Sequence, residues 1–231
     1  MACDLTAALF DGHELRGHGP AQFMRESQPD IVAGHGLGDL AALVAADALD
    51  HHDAVRLAVA REQLIAQTSE HLGGGMLALS CDEAPLSAAL IARRTGAHVA
   101  CYDSPGRCVI AGSHDQLDDA RKLAADMAIE TAAIQAPGPM HCIEMETVAD
   151  IFGLLLETVA FRRPSMPVYS SVTAEPIGDP RTALKRCLVA PVLWSDTVRA
   201  LEAAGTTRFV EAGANKLGDL VRETLGELVH A

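Results

Sequence analysis

The sequence predicts an α/β fold: a parallel sheet with helices on its faces, interrupted by a smaller split β-α-β module. Three observations lead there. Apolar runs at Leu5–Phe10, Ile31–Ala33, Pro167–Val172 and Arg208–Glu211 sit among helical stretches, the alternation that a parallel sheet with crossover helices requires. Between Met76 and Gln135 the order changes to strand, helix, strand, strand, helix, strand. That stretch is bracketed by strong breaks, Gly73-Gly74-Gly75 and Pro137-Gly138-Pro139. The expected division is therefore 1–74 with 137–231 as the larger part and 75–136 as the insertion.

Each element has a local reason. Leu5–Phe10 is a short apolar strand, and Asp11-Gly12-His13-Glu14 is a turn. Ala21–Glu26 is a short helix ended by Pro29-Asp30, and Ile31–Ala33 reads as a buried strand. Leu37–Ala46 is an Ala- and Leu-rich helix, and Asp50–Ala66 is another that carries Arg61. The insertion runs through strand Met76–Cys81, helix Ala84–Arg94, and strands His98–Tyr102 and Cys108–Ala111 around the turn Ser104-Pro105-Gly106-Arg107. Helix Asp115–Ala128 follows, with Leu117, Ala120, Leu123, Ala124 and Met127 on one face, and then strand Ile129–Gln135. This is the ferredoxin-like order. Beyond it come helix Met145–Val159, strand Pro167–Val172, helices Arg181–Leu188 and Pro191–Ala204, strand Arg208–Glu211 and a last helix, Lys216–Leu228.

Composition narrows the class. The chain has 231 residues, nearly half of them apolar, and few aromatics, so Ala, Leu and Val must fill the core. Its 31 acidic and 18 basic residues leave a formal charge of -13, which argues against a nucleic-acid or anionic-membrane partner. Six cysteines occur without a C-x-x-C pair, so neither a zinc ribbon nor a thioredoxin-like pair is expected, and no metal is. No secretory leader and no membrane-spanning run is read, and the expected location is the cytoplasm.

The chemistry is concentrated at Gly34-His35-Gly36-Leu37-Gly38. A strand runs into a tight turn and a helix follows, the frame of a nucleophile elbow, G-x-S-x-G, with Gly36 where serine would stand. In such a turn the backbone N–H of the next residue, here Leu37, points at the developing oxyanion. A lone His is more often a packed or surface residue than a catalyst, but His141 is marked out among ten histidines by its place, just past the insertion and before a helix. Arg61 is either an exposed helix charge or a bidentate clamp for a substrate carboxylate.

With these residues in view, the chain resembles the malonyl-CoA:acyl-carrier-protein transacylase family, including the acyltransferase domains of polyketide synthases. Gly34 to Leu43, GHGLGDLAAL, resembles the family's GHSLGEYAAL. Arg61-Glu62-Gln63-Leu64-Ile65 is similar to R-G-x-L-M. Asp103-Ser104-Pro105-Gly106-Arg107, with Val109-Ile110-Ala111-Gly112, is similar to N-S-P-G-Q with V-I-A-G. Pro139–Met145 resembles P-x-H-[SC]-x-x-M, Pro191–Trp194 resembles P-V-x-W, and Glu211–Leu217 resembles E-V-G-P-G-K-V-L.

The resemblance implies an α/β-hydrolase-like sheet around a ferredoxin-like insertion, and ping-pong acyl transfer. A serine attacks an acyl-CoA thioester, a histidine moves the proton, and the acyl group passes to the phosphopantetheine thiol of an acyl carrier protein. Carried over by position, His141 is the base, Leu37 N–H an oxyanion donor and Arg61 the malonyl clamp. Met140 stands at a position linked to acyl choice, and a carbonyl near Ala214-Asn215 orients the imidazole. His13 stands at the position of a Gln whose N–H is the second oxyanion donor. Acyl-CoA is a substrate here, and no cofactor is implied. The implied partners are acyl carrier protein and a fatty-acid or polyketide synthase.

The departures matter as much. Gly36 removes the attacking oxygen, and Asp103 and Arg107 replace Asn and Gln. The helical segment between the first loop and the elbow is shortened by several dozen residues. Loss of a nucleophile from a concerted unit costs several orders of magnitude in rate. Three readings stay open: an impaired transacylase, a non-catalytic module that binds a carrier protein or synthase, and a weak hydrolase in which His141 activates water.

Overall fold

A computed structural model describes residues 4–16, 20–212 and 217–226. Two four-stranded sheets are present among them. The first is parallel, built from β1 (Leu5–Phe10), β2 (Ile31–Gly34), β7 (Val168–Tyr169) and β8 (Thr206–Ala212) in the order β7-β2-β1-β8. The second is antiparallel, with β4 (His98–Ser104), β5 (Arg107–Gly112), β3 (Gly75–Ser80) and β6 (Glu130–Ile134) in that order. With α4 (Ala84–Thr95) and α5 (His114–Asp126) on one face, it is the ferredoxin-like unit that the sequence order implied.

The remaining helices are α1 (Ala21–Ser27), α2 (Gly38–Ala45), α3 (His51–Leu72), α6 (Glu146–Leu156), α7 (Pro180–Val189), α8 (Trp194–Ala203) and α9 (Leu217–Leu225). Their ends follow local chemistry. The Asp50 carboxylate accepts from His52 N to start α3, and Gly73, at φ +63°, ends it. Helix α3 therefore runs six residues past the expected Ala66, because the polar stretch Gln67–His71 carries no breaker before the glycines. Ser113 and Gln116 form a reciprocal capping box on α5. The strand expected over Pro167–Val172 keeps only two residues; Ser170 and Ser171 leave the ladder for contacts nearer the site. A short 3-10 turn, His13–Arg16, replaces the simple turn expected after β1. Among the described residues no helix is long and apolar enough to cross a membrane.

Strand alternation explains how the sheets join. On β3, Leu77 and Leu79 face the core under α4 and α5, whereas Met76 and Ala78 face a second core shared with Leu9, Ala33, Phe209 and Trp194 of the larger part. The backbone continues this seam: Tyr102 N donates to Val192 O at 2.8 Å and Val192 N to Ala100 O at 2.9 Å. The strand ends that meet there, at Gly34 and at Cys101–Asp103, enclose the site.

Gly38 shows how tight the elbow is. A Cβ there would overlap the Phe10 carbonyl oxygen, a backbone atom with no freedom to withdraw. Gly38→Ala is expected to destabilise the fold by about 2–3 kcal/mol through strain at the β1–α2 contact. Urea unfolding checks this, and an unchanged midpoint would show that the contact relaxes.

Candidate active site

Gly36 sits between β2 and α2 with φ at +60°, the left-handed region that a strained strand-to-helix turn requires. The space beside it decides the reading. A Cβ placed on Gly36 would lie 3.4 Å from His141 Nε2 and 3.5 Å from its Cε1. A side chain at this position would therefore meet the imidazole directly. The elbow and the histidine, 105 positions apart in the sequence, are brought together.

His141 is 5% exposed and itself adopts a left-handed backbone, φ +59°. Its Nδ1 lies 2.6 Å from the carbonyl oxygen of Cys187 on α7. A carbonyl only accepts, so Nδ1 carries the proton and the bare Nε2 lone pair faces Gly36. Burial, reinforced by the Arg61 and His35 charges, pushes the imidazole down to about 3, so the ring is neutral at physiological pH. Sequence reasoning placed the orienting carbonyl near Ala214-Asn215, which lies outside the described residues. Cys187 supplies the one observed, and a backbone acceptor on a distant helix leaves no sequence signal.

Arg61 projects from α3 into the same cavity and is 6% exposed. Among the described residues it makes no hydrogen bond and has no acidic side chain within 4.0 Å. Arg61 is therefore a buried cation and not a solvated helix charge. The cavity, about 1020 Å³, is also lined by Leu37, Met140 and His13. The Leu37 N–H has no acceptor among the described residues, as expected at the start of a helix. Met140 packs against both cores where they meet at the cavity wall.

His13 requires a correction. It lines the cavity, but its backbone N–H donates to Asp11 Oδ1 at 2.8 Å. Glu14 captures the neighbouring donors, Gly12 N at 2.9 Å and Asp11 N at 3.3 Å. The loop that was expected to offer a second oxyanion donor has turned its N–H groups onto its own carboxylates. Two acids around one glycine, at i and i+3, were the visible signal.

Two groups beside the site, one buried and one half-buried, were missed by sequence reasoning. Asp39, in the first turn of α2, accepts from Ser171 Oγ at 2.8 Å and Ser171 N at 3.4 Å. Burial pushes its carboxyl up to about 7. Because the unfolded chain ionises near the ordinary value of 3.8, folding stability from this group is present at low pH and is lost as pH rises from about 4 to about 7. Asp39→Asn is expected to gain stability over the wild type by about 1 kcal/mol or more between pH 5 and pH 8. Urea unfolding at the two pH values tests this; a pH-independent difference would mean that Asp39 stays ionised. The second group is His35, whose Nε2 lies 2.9 Å from Asp103 Oδ1. Arg107 Nε holds the other oxygen at 3.4 Å.

The arrangement can bind an acyl thioester with an acidic acyl end, and can take a proton at Nε2. A family model described as acyl transferase domain matches residues 15–218. The malonyl CoA-acyl carrier protein transacylase of Haemophilus influenzae is 32% identical over 209 residues, covering 87% of this chain and 67% of that protein. The chain thus spans about two thirds of the length of the curated relatives it matches. The crystal structure of a malonyl-CoA:acyl carrier protein transacylase from Xanthomonas oryzae shares the fold, with a TM-score of 0.87 at 24% identity, covering 100% of this chain and 94% of that one. A malonyl-transacylase solved in complex with a type II polyketide synthase acyl-carrier protein gives 0.80 at 26% identity, covering 91% and 72%.

Proposed function

This chain belongs to the malonyl-CoA:acyl-carrier-protein transacylase family of acyl transferase domains, and from that premise we propose that it binds a malonyl-type acyl-CoA in a transacylase site whose transfer step is impaired by Gly36. One observation carries the reading: the position of a Cβ on Gly36, 3.4 Å from the unprotonated nitrogen of a neutral, oriented His141. In the full reaction a serine oxygen there would bond to the thioester carbonyl and give its proton to Nε2. The C–S bond would break, and the departing CoA thiolate would take the proton back. The phosphopantetheine thiol of a carrier protein would then displace the serine in the reverse sense. Glycine removes the bond-forming atom from both halves. Arg61, Leu37 N–H and Met140 keep their parts in binding: the guanidinium pairs with the acyl carboxylate, and the N–H faces the carbonyl oxygen.

Malonyl-CoA and acetyl-CoA titrated into the chain, with and without holo carrier protein, test the proposal. The expected outcome is preferential binding of malonyl-CoA without acyl transfer above the protein-free rate. Transfer by the unaltered chain at enzymatic rates, or no binding of malonyl-CoA, would overturn it.

A second reading is a non-catalytic module that holds a carrier protein or synthase. The carboxylate-capped loop at Asp11–Glu14 favours it, because that loop is closed to an oxyanion. Under this reading His141→Ala leaves carrier-protein binding unchanged; a dependence on His141 would count against it.

A further inference from the structure

We propose that His35, Cys101 and Asp103 form a binding site for one divalent transition-metal ion of the zinc type, opening onto the cavity beside Gly36. The imidazole, thiol and carboxylate ligand atoms all lie within 4.8 Å of one another. A zinc ion at about 2.0–2.3 Å from each would need ligand atoms about 3.3–3.8 Å apart, so small side-chain rotations close the set. Cys101 and Asp103 stand two apart on β4, where the pairing with β5 is irregular around Asp103, and both line the cavity. His35 comes from the turn after β2 and meets them from across the seam between the sheets.

Cys101 and Asp103 are buried, and all three residues line the cavity, which gives an ion an entry path and leaves a coordination position open to it. Arg107 Nε holds Asp103 Oδ2, Oδ1 meets His35 Nε2 at 2.9 Å in a bond that the ion would replace, and the Trp194 ring packs edge-on against His35 with centroids 5.3 Å apart. A thiolate and an imidazole select zinc-like ions over magnesium or calcium, which take oxygen ligands. Two of the ligands lie 66 and 68 positions from the third, so no short motif announces the set. Asp103 is also one of the two places where the Ser104-Pro105-Gly106 turn departs from the resembled pattern. The inference concerns metal binding and stands whether or not the site transfers acyl groups.

Untagged, metal-free protein is titrated with Zn(II) by calorimetry and with Co(II) by absorption spectroscopy. One ion per chain is expected, with a thiolate-to-cobalt charge-transfer band. Asp103→Asn, which keeps the shape of the side chain, and Cys101→Ser should each weaken Zn(II) binding at least about tenfold. Cys101→Ser should abolish the band, while Cys81→Ser, at a cysteine away from the cavity, should keep it. Absence of a thiolate band in the wild-type protein, or Zn(II) affinity unchanged in a folded Cys101→Ser or Asp103→Asn variant, overturns the proposal.

Discussion

Gly36→Ser is expected to turn this chain into a protein that acylates itself from malonyl-CoA, with a rate gain of about 10³-fold or more over the unaltered chain. The reason is geometric. A Cβ at position 36 would lie 3.4 Å from His141 Nε2, and the imidazole already holds its proton on the far nitrogen through Cys187. Burial and the Arg61 charge keep the ring neutral, so the Nε2 lone pair is available through the physiological range. The substitution also carries a cost. A non-glycine residue at φ +60° adds strain of about 1–3 kcal/mol, so the variant should unfold at lower urea than the wild type while gaining chemistry. The gain should fall short of a complete transacylase, because the Asp11–Glu14 loop withholds the second oxyanion donor.

The second large effect belongs to Arg61. Among the described residues the buried Arg61 guanidinium has no hydrogen-bond or ion-pair partner, and a buried charge without one is costly. Arg61→Met is therefore expected to stabilise the unliganded chain by about 1 kcal/mol. The same change in a Gly36→Ser background should cut the preference for malonyl-CoA over acetyl-CoA by about 10- to 100-fold, the worth of charge-assisted hydrogen bonds to a carboxylate. Arg61→Lys should restore only part of that preference, since an ammonium cannot make the planar bidentate pair. Competition between the two thioesters, read by mass, separates the outcomes. An unchanged ratio in Arg61→Met would remove Arg61 from acyl recognition.

Much of this was legible in the primary sequence because it is written in local punctuation. The elbow shows as a strand, three glycines at alternate positions and an Ala-rich helix, and the split β-α-β order shows between two clusters of Gly and Pro. His141 and Arg61 were picked out by their place relative to those markers. What stayed hidden depends on strand pairing and backbone acceptors. Cys187 acts through its carbonyl, which every residue has. His35, Cys101 and Asp103 meet only because the seam at Val192 sets β4 against the larger part. Ser171 reaches Asp39 from 132 positions away. The inward turn of Asp11 and Glu14 was within reach of sequence reasoning, since both acids are local to Gly12, but position alone assigned the loop its family role.

The most direct measurement is the intact mass of Gly36→Ser after exposure to malonyl-CoA, beside the double variant Gly36→Ser/His141→Ala. The account predicts a single malonyl adduct on the peptide that contains position 36, formed at least about 10²-fold more slowly without the imidazole. A folded Gly36→Ser that takes up no malonyl group, or one labelled equally fast without His141, would contradict it.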